Sequence, residues 1–152
     1  MSILKDVYNY IEEIKTKKRS FQRLMNKGIT GYDEKVTRII KDSLKSIVNR
    51  YYFLEWELSK LIKVNDEHTK DYLICALGQY HFVNEISNEM LLSFFKDELN
   101  SFDDKLSPDF VYNKFISLNG KTLTISEFEN KIIYKRLAVT YSYPEWVCKM
   151  LC

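Results

Sequence analysis

The chain has 152 residues, of which 23 are Lys or Arg and 21 are Asp or Glu, so its formal net charge is +2. Hydrophobic residues make up 45%, which excludes a disordered chain, and four Gly and two Pro exclude a collagen-like or linker-like sequence. The longest wholly apolar run, Tyr72–Leu77, is far shorter than the roughly 20 residues of a membrane span. We therefore expect one domain without membrane contact, and the three cysteines, interpreted as free thiols, indicate the reducing cytoplasm.

The residues that usually carry metal or catalytic chemistry lack the required spacing. Cys75, Cys148 and Cys152 show no disulfide framework and are expected to be free thiols, and two thiolates four residues apart do not make a zinc site. His68 and His81 have no partner at metal or triad spacing, and we interpret both as surface or interface histidines. The four glycines allow no phosphate-cradling loop. The sequence therefore predicts no metal, cofactor or catalytic residue in this chain.

Apolar residues that recur every three or four positions predict amphipathic helices along most of the chain. The first pattern covers residues 3–14. The longest runs from Val36 to Leu61, where Asn49–Arg50 would allow a bend, and Thr30 or Asp33 is placed to cap its start.

Three further helical patterns follow after Leu61. One begins at Asn65 or Thr69 and reaches Tyr80, and another covers residues 86–99. Ser107–Pro108 has the sequence of a helix start, with proline at the first helical position. Each of these patterns is long enough for an independent helix.

The end of the chain contains turn and helix signals. Asn119–Gly120 predicts a turn, and residues 121–125 alternate briefly as an extended segment would. Ser126 and Glu129 form a capping box that opens another helix, which Tyr143–Pro144 ends. Seven or eight helices with short connections and no βαβ alternation predict an all-α helical bundle.

Charge is unevenly distributed along the chain. Residues 1–50 carry a net charge of +6 and residues 51–152 a net charge of −4, and Glu85–Asp109 alone holds seven acids. One end of the molecule is therefore suited to an anionic partner, while the other would repel it.

Basic side chains crowd the end of the first helix with its following loop, and one side of the next predicted helix. Such a surface would displace counterions from a phosphate backbone, whereas the alternative interpretation is an ordinary solvated helix face. The side chains that we expect to contact RNA phosphates are Lys15, Lys17, Lys18, Arg19, Arg23, Arg38, Lys41 and Lys45.

Tyr51, Tyr52, Phe53 and Trp56 form an aromatic run next to Arg50. Aromatic rings can stack on exposed RNA bases. Because Tyr51 already lies on the apolar side of its helix, a core role is favoured for the run.

The stretch Leu137–Val147, which contains Tyr-Ser-Tyr-Pro-Glu-Trp, resembles a known domain junction. It is similar to the join between the NusB-like N-terminal domain and the catalytic domain in the Sun (RsmB) family of ribosomal RNA cytosine-C5 methyltransferases. Leu73–Gln79 resembles the Leu-x-x-Ala/Gly-x-x-Gln helix of that family. Asp42 and Lys45 stand where the family has Gly and Arg.

The resemblance implies a NusB-like RNA-binding helical domain over residues 1–140, with residues 141–152 starting the linker to a missing methyltransferase domain. It implies S-adenosylmethionine as cofactor of the parent enzyme and ribosomal RNA as the partner, held by backbone contacts. No Pro-Cys motif occurs in the 152 residues, so we expect no methyltransferase activity from this chain alone. The alternatives are a free-standing NusB-like antitermination factor with a protein partner, or a helical protein-interaction module, and the chain could also form a homodimer.

Overall fold

The computed structural model describes residues 2–123, and this part of the chain is an all-α bundle without strands, as the sequence predicts. Its elements are α1 (Ile3–Lys15), α2 (Phe21–Arg23) continued by a π-helical turn (Leu24–Gly28), α3 (Glu34–Asn49), α4 (Tyr51–Leu61), α5 (Glu67–Phe82), α6 (Asn88–Phe102) and α7 (Pro108–Ile116). None of these helices is long and apolar enough to cross a membrane. The capping box at Ser126, the break at Tyr143–Pro144 and the segment 137–152 lie outside the described residues.

Short polar side chains define where the helices begin. The side-chain oxygens that accept a backbone N–H at a helix N-terminus belong to Ser2, Ser20, Asp33, Asp66, Ser87 and Ser107. Asp33 and Ser107–Pro108 are thus confirmed as helix starts, and so is the bend at Arg50, which separates α3 from α4. For α5 the prediction was wrong, because Asp66 is the cap and accepts from the Thr69 N–H at 2.9 Å.

Helix α5 is the centre of the bundle. Thr69 and every residue from Asp71 to Gln79 are buried, and α1, α3, α4 and α6 all pack against this helix. The sequence predicts only one buried face for this helix, because the spacing of its apolar residues was interpreted as that of an amphipathic surface helix. The short apolar run Tyr72–Leu77 marks a helix that is covered on all sides.

The aromatic run of α4 belongs to the core, which confirms the structural interpretation. Tyr51, Phe53 and Trp56 are buried, and only Tyr52 is half-buried. These rings fill space between helices, so they do not form a platform for stacked bases.

The chain after α7 turns back onto the bundle. Asn119 and Gly120 both have positive φ, at 54° and 73°, which confirms the predicted turn. The Gly120 N–H then donates to the Tyr80 hydroxyl at 2.9 Å, and the Leu123 N–H donates to Glu57 Oε2 at 2.7 Å. Side chains of α4 and α5 therefore anchor this segment.

Gly78 allows α5 to approach α3 and α4 closely. A Cβ atom at this position would lie 2.6 Å from Ile47 Cγ1 and 3.3 Å from Leu54 Cδ1. Both neighbours are fully buried, so neither can move away without disturbing the core.

We expect Gly78→Ala to lower the free energy of unfolding by about 2 kcal/mol, because overpacking outweighs the better helix propensity of alanine. Urea denaturation followed by circular dichroism measures the change. Asn113→Ala on the exposed side of α7 is the control and should change stability by less than about 0.5 kcal/mol. A neutral or stabilising Gly78→Ala would contradict this account of the close approach.

Candidate anion-binding cleft

A cleft of about 760 Å³ lies at the segment that joins α1 to α3. It is lined by Arg19, Ser20, Gln22, Arg23, Asn26, Lys27, Gly28 and Thr30. Three of these side chains are cationic, four carry a hydroxyl or an amide, and none is acidic or apolar. A lining of this kind suits a hydrated anionic ligand rather than an apolar small molecule.

The cleft exists because a short helical segment is held to the core by one side only. Leu24 is fully buried, while Phe21 and Met25 are half-buried against the main core. The other side of the segment faces solvent and carries the polar cleft residues. Gly28 closes the π-helical turn, where a Cβ atom would lie 2.8 Å from Leu24 Cδ2. The sequence signals neither the π-helical turn nor the cleft that it shapes.

Arg19 forms a fixed wall of the cleft. Its Nε lies 2.8 Å from Glu13 Oε2, its Nη2 donates to Glu13 Oε1 at 3.2 Å, and its Nη1 donates to the Gly28 carbonyl at 2.8 Å. The guanidinium carbon lies 5.6 Å from the centre of the Tyr10 ring. Glu13 therefore offsets part of the Arg19 charge and holds its plane in place.

Apart from Lys15 and Arg19, the predicted phosphate contacts fall into two groups along the chain, one in the segment after α1 and one on α3. Their side chains are exposed, except for Lys41, which is half-exposed. Within residues 2–123 no ion pair involves any of them, and none joins them to the acidic segment Glu85–Asp109. We call the first group the loop cations (Lys17, Lys18, Arg23 and Lys27) and the second the α3 row (Arg38, Lys41 and Lys45).

Lys15 belongs to a different environment. Its side chain is only 19% exposed, and its Nζ lies 2.5 Å from Asp71 Oδ2 and 3.0 Å from Glu67 Oε1. The Asp71 side chain is 1% exposed and also accepts from the Tyr51 hydroxyl at 2.8 Å. Burial acts to lower the pKa of Lys15, but its contacts with Asp71 and Glu67 raise it above the ordinary value. Lys15 therefore joins helices together at a buried carboxylate.

Glu12 extends this interhelical network towards the surface. Burial raises its pKa, and so do the hydrogen bond and the charge of Asp71, while Lys15 and His68 act in the opposite direction. His68 Nδ1 lies 3.6 Å from Glu12 Oε2 and 3.0 Å from the Tyr8 hydroxyl oxygen. His68 is exposed as predicted, although it lies in the first turn of α5 rather than in a loop.

For His81 the surface interpretation was wrong. Its side chain is 1% exposed, and its Nε2 lies 2.7 Å from Oε1 of Glu57, which is fully buried. Glu57 lies among the buried apolar residues of α4. An acid in such a position indicates, already in the sequence, that it has a buried partner. The pair joins α4 to α5.

The part of the chain that the structure describes contains no group of three or more His, Cys, Asp or Glu side chains arranged to hold a metal. Cys75 is a free thiol, and burial raises its pKa well above the ordinary value. A thiol that is buried and protonated is a poor nucleophile. Cys148 and Cys152 lie outside the described residues.

Comparisons with protein-family models, with curated proteins and with solved structures found no match for this chain. The similarity to the Sun family therefore stays a prediction that depends on the residues quoted from the sequence.

We expect Lys15→Met to lower the free energy of unfolding by about 3 kcal/mol, because it removes the cation that faces the buried Asp71 carboxylate. The exposed Lys17→Met is the matched control and should change stability by less than about 0.5 kcal/mol. Urea denaturation near neutral pH compares them. Equal effects of the two substitutions would argue against a structural role for Lys15.

Glu12 should make stability depend on pH in a defined direction. Because its folded pKa exceeds the ordinary 4.5, the folded chain retains a proton that the unfolded chain releases. Its contribution is therefore fully present below pH 4.5 and is lost as pH rises through the folded pKa. We expect Glu12→Gln to gain stability over the wild type as pH rises from roughly 4 to 8. Urea denaturation across that range measures the difference between the variant and the wild type, and a difference that does not change with pH would contradict this account.

Proposed function

We propose that this chain is an RNA-binding module that holds the phosphate backbone with its loop cations and its α3 row. The observation that carries the proposal is the acid-free cleft, in which Arg23 and Lys27 stand beside the fixed Arg19. Side chains that neutralise phosphates release condensed counterions, and that release supplies most of the affinity of sequence-independent binding.

The distribution of charge supports a polyanion rather than a small anion. Residues 16–45 contain nine basic and three acidic side chains, and they supply both groups of cations. A single phosphate could contact only one of these groups at a time. A nucleic-acid strand offers phosphates at regular intervals, so it could contact several cations together.

We also propose that the RNA is ribosomal and that the parent protein is a cytosine-C5 methyltransferase. The support is the Tyr141–Trp146 string together with the all-α architecture. In this role the module would position the RNA, and a separate domain that uses S-adenosylmethionine would carry out the methylation.

A helical protein-interaction module is the second candidate. The observation in its favour is a groove of about 470 Å³ beside the end of α4, whose apolar lining is Leu58, Ile62 and Val64. Two lysines, Lys63 and Lys70, also line it, but Lys70 is already paired with Glu55 at 2.9 Å.

The first test is RNA binding as a function of salt. We expect a single-stranded 20-nucleotide RNA to bind with an affinity that falls linearly on a logarithmic salt scale. Arg23→Glu with Lys27→Glu should weaken binding and reduce the slope by about 1.4, since each single-strand phosphate contact contributes about 0.7. Fluorescence anisotropy over a potassium chloride series measures both quantities.

Lys60→Glu with Lys63→Glu is the matched control, because it changes the net charge equally at exposed sites away from the cleft. The control should retain nearly the wild-type slope. Equal losses in the two double variants would mean that net charge alone drives binding. If the wild type binds no RNA even at low salt, the proposed function is wrong and the interaction module becomes the better candidate.

A further inference from the structure

Two exposed amide side chains stand among the cations of the cleft. Gln22 and Asn26 both line it, next to Arg23 and Lys27 along the chain. Within residues 2–123 neither amide has a hydrogen-bond partner. Each amide offers two N–H donors and a carbonyl oxygen with two acceptor lone pairs, whereas a phosphate oxygen can only accept. Half of the hydrogen-bonding capacity of these side chains is therefore unsuited to phosphate.

The two kinds of side chain form neighbouring rows on one helical segment. Gln22 and Asn26 are four residues apart, and so are Arg23 and Lys27, so the members of each pair project to nearly the same side. A ligand in the cleft would thus meet charge along one row and mixed donors and acceptors along the other. That division matches a nucleotide, whose anionic phosphate and uncharged base lie side by side.

Arg19 adds a flat surface to this arrangement. One side of its guanidinium is directed at the Tyr10 ring, and Glu13 and the Gly28 carbonyl fix its plane. Arginine planes are among the surfaces on which unstacked RNA bases lie. The volume of about 760 Å³ is much larger than one phosphate needs, and it falls within the roughly 300–1,000 Å³ of ordinary ligand sites.

We propose that the cleft takes one unpaired nucleotide of single-stranded RNA, with its phosphates on Arg23 and Lys27 and the edge of its base on Gln22 and Asn26. This inference rests on the proposed function and adds base selection to it. A paired base is excluded, because side chains cannot read the deep, narrow major groove of an RNA duplex. Adenine fits best, since an Asn or Gln amide pairs with it through two hydrogen bonds.

The test uses single-stranded 12-nucleotide RNAs composed of uridine, with or without one central adenosine, cytidine or guanosine. We expect the wild-type chain to bind the adenosine-containing strand about tenfold more tightly than the all-uridine strand. Gln22→Ala with Asn26→Ala should reduce adenosine-strand binding to the all-uridine level and leave the salt slope unchanged. Fluorescence anisotropy measures affinities, and circular dichroism checks that the variant is folded.

Asn100→Ala with Asn113→Ala is the matched control, because both amides are exposed on other helices. This control should keep the preference for adenosine. Equal wild-type affinity for all four strands, with normal salt dependence, would overturn base selection and leave RNA binding intact. Retention of the preference by the Gln22 and Asn26 double variant would also overturn it. No binding to any strand would overturn this inference and the proposed function together.

Discussion

The burial of the middle of α5, from Asp71 to Gln79, is the constraint on which the rest of the bundle depends. A helix covered on all sides must find partners for its polar side chains inside the protein, since an unsatisfied buried polar group costs about 1–3 kcal/mol. Asp71 pairs with Lys15 of α1 and Tyr51 of α4, and Gln79 donates to Ser43 of α3 at 3.2 Å. Each contact joins α5 to one neighbouring helix, so these polar residues help to orient the helices that the apolar residues hold together.

This constraint also separates structural cations from those available to a ligand. Asp71 draws Lys15 inward, and Glu13 fixes Arg19 at the edge of the cleft. Asp71 and Glu13 are therefore paired with cations that face the bundle. Lys17 and Arg23 are beyond their reach and stay exposed to solvent. A count of charges along the sequence cannot make this distinction, because Lys15 and Lys17 are only two residues apart.

The sequence predicted that each of these helices exists and gave the buried face of a helix with one such face, but it did not give the additional buried faces of α4 and α5. The starts of α3 and α7 follow from Asp33 and Ser107, whose side chains cap them. In α4 and α5 the apolar periodicity is weak, because buried residues occur on most sides. That is why His81 was interpreted as a surface or interface histidine, although its side chain is buried against Glu57. Sequence spacing reports one preferred face and carries no signal for partners on other helices.

The cleft could not be predicted from the sequence, for a different reason. The cations were evident from the sequence, but their arrangement needs the π-helical turn and the contact of Arg19 with the Gly28 carbonyl. Neither feature has a local sequence signature, because both arise from the way Leu24 is held in the core. The same attachment argues for a binding surface that is already formed. Ile29 is buried farther along the segment, and Tyr32 donates to Asp6 at 3.0 Å. A segment fixed at these points loses little further conformational entropy when a ligand binds, so its cations can convert more of their electrostatic attraction into affinity.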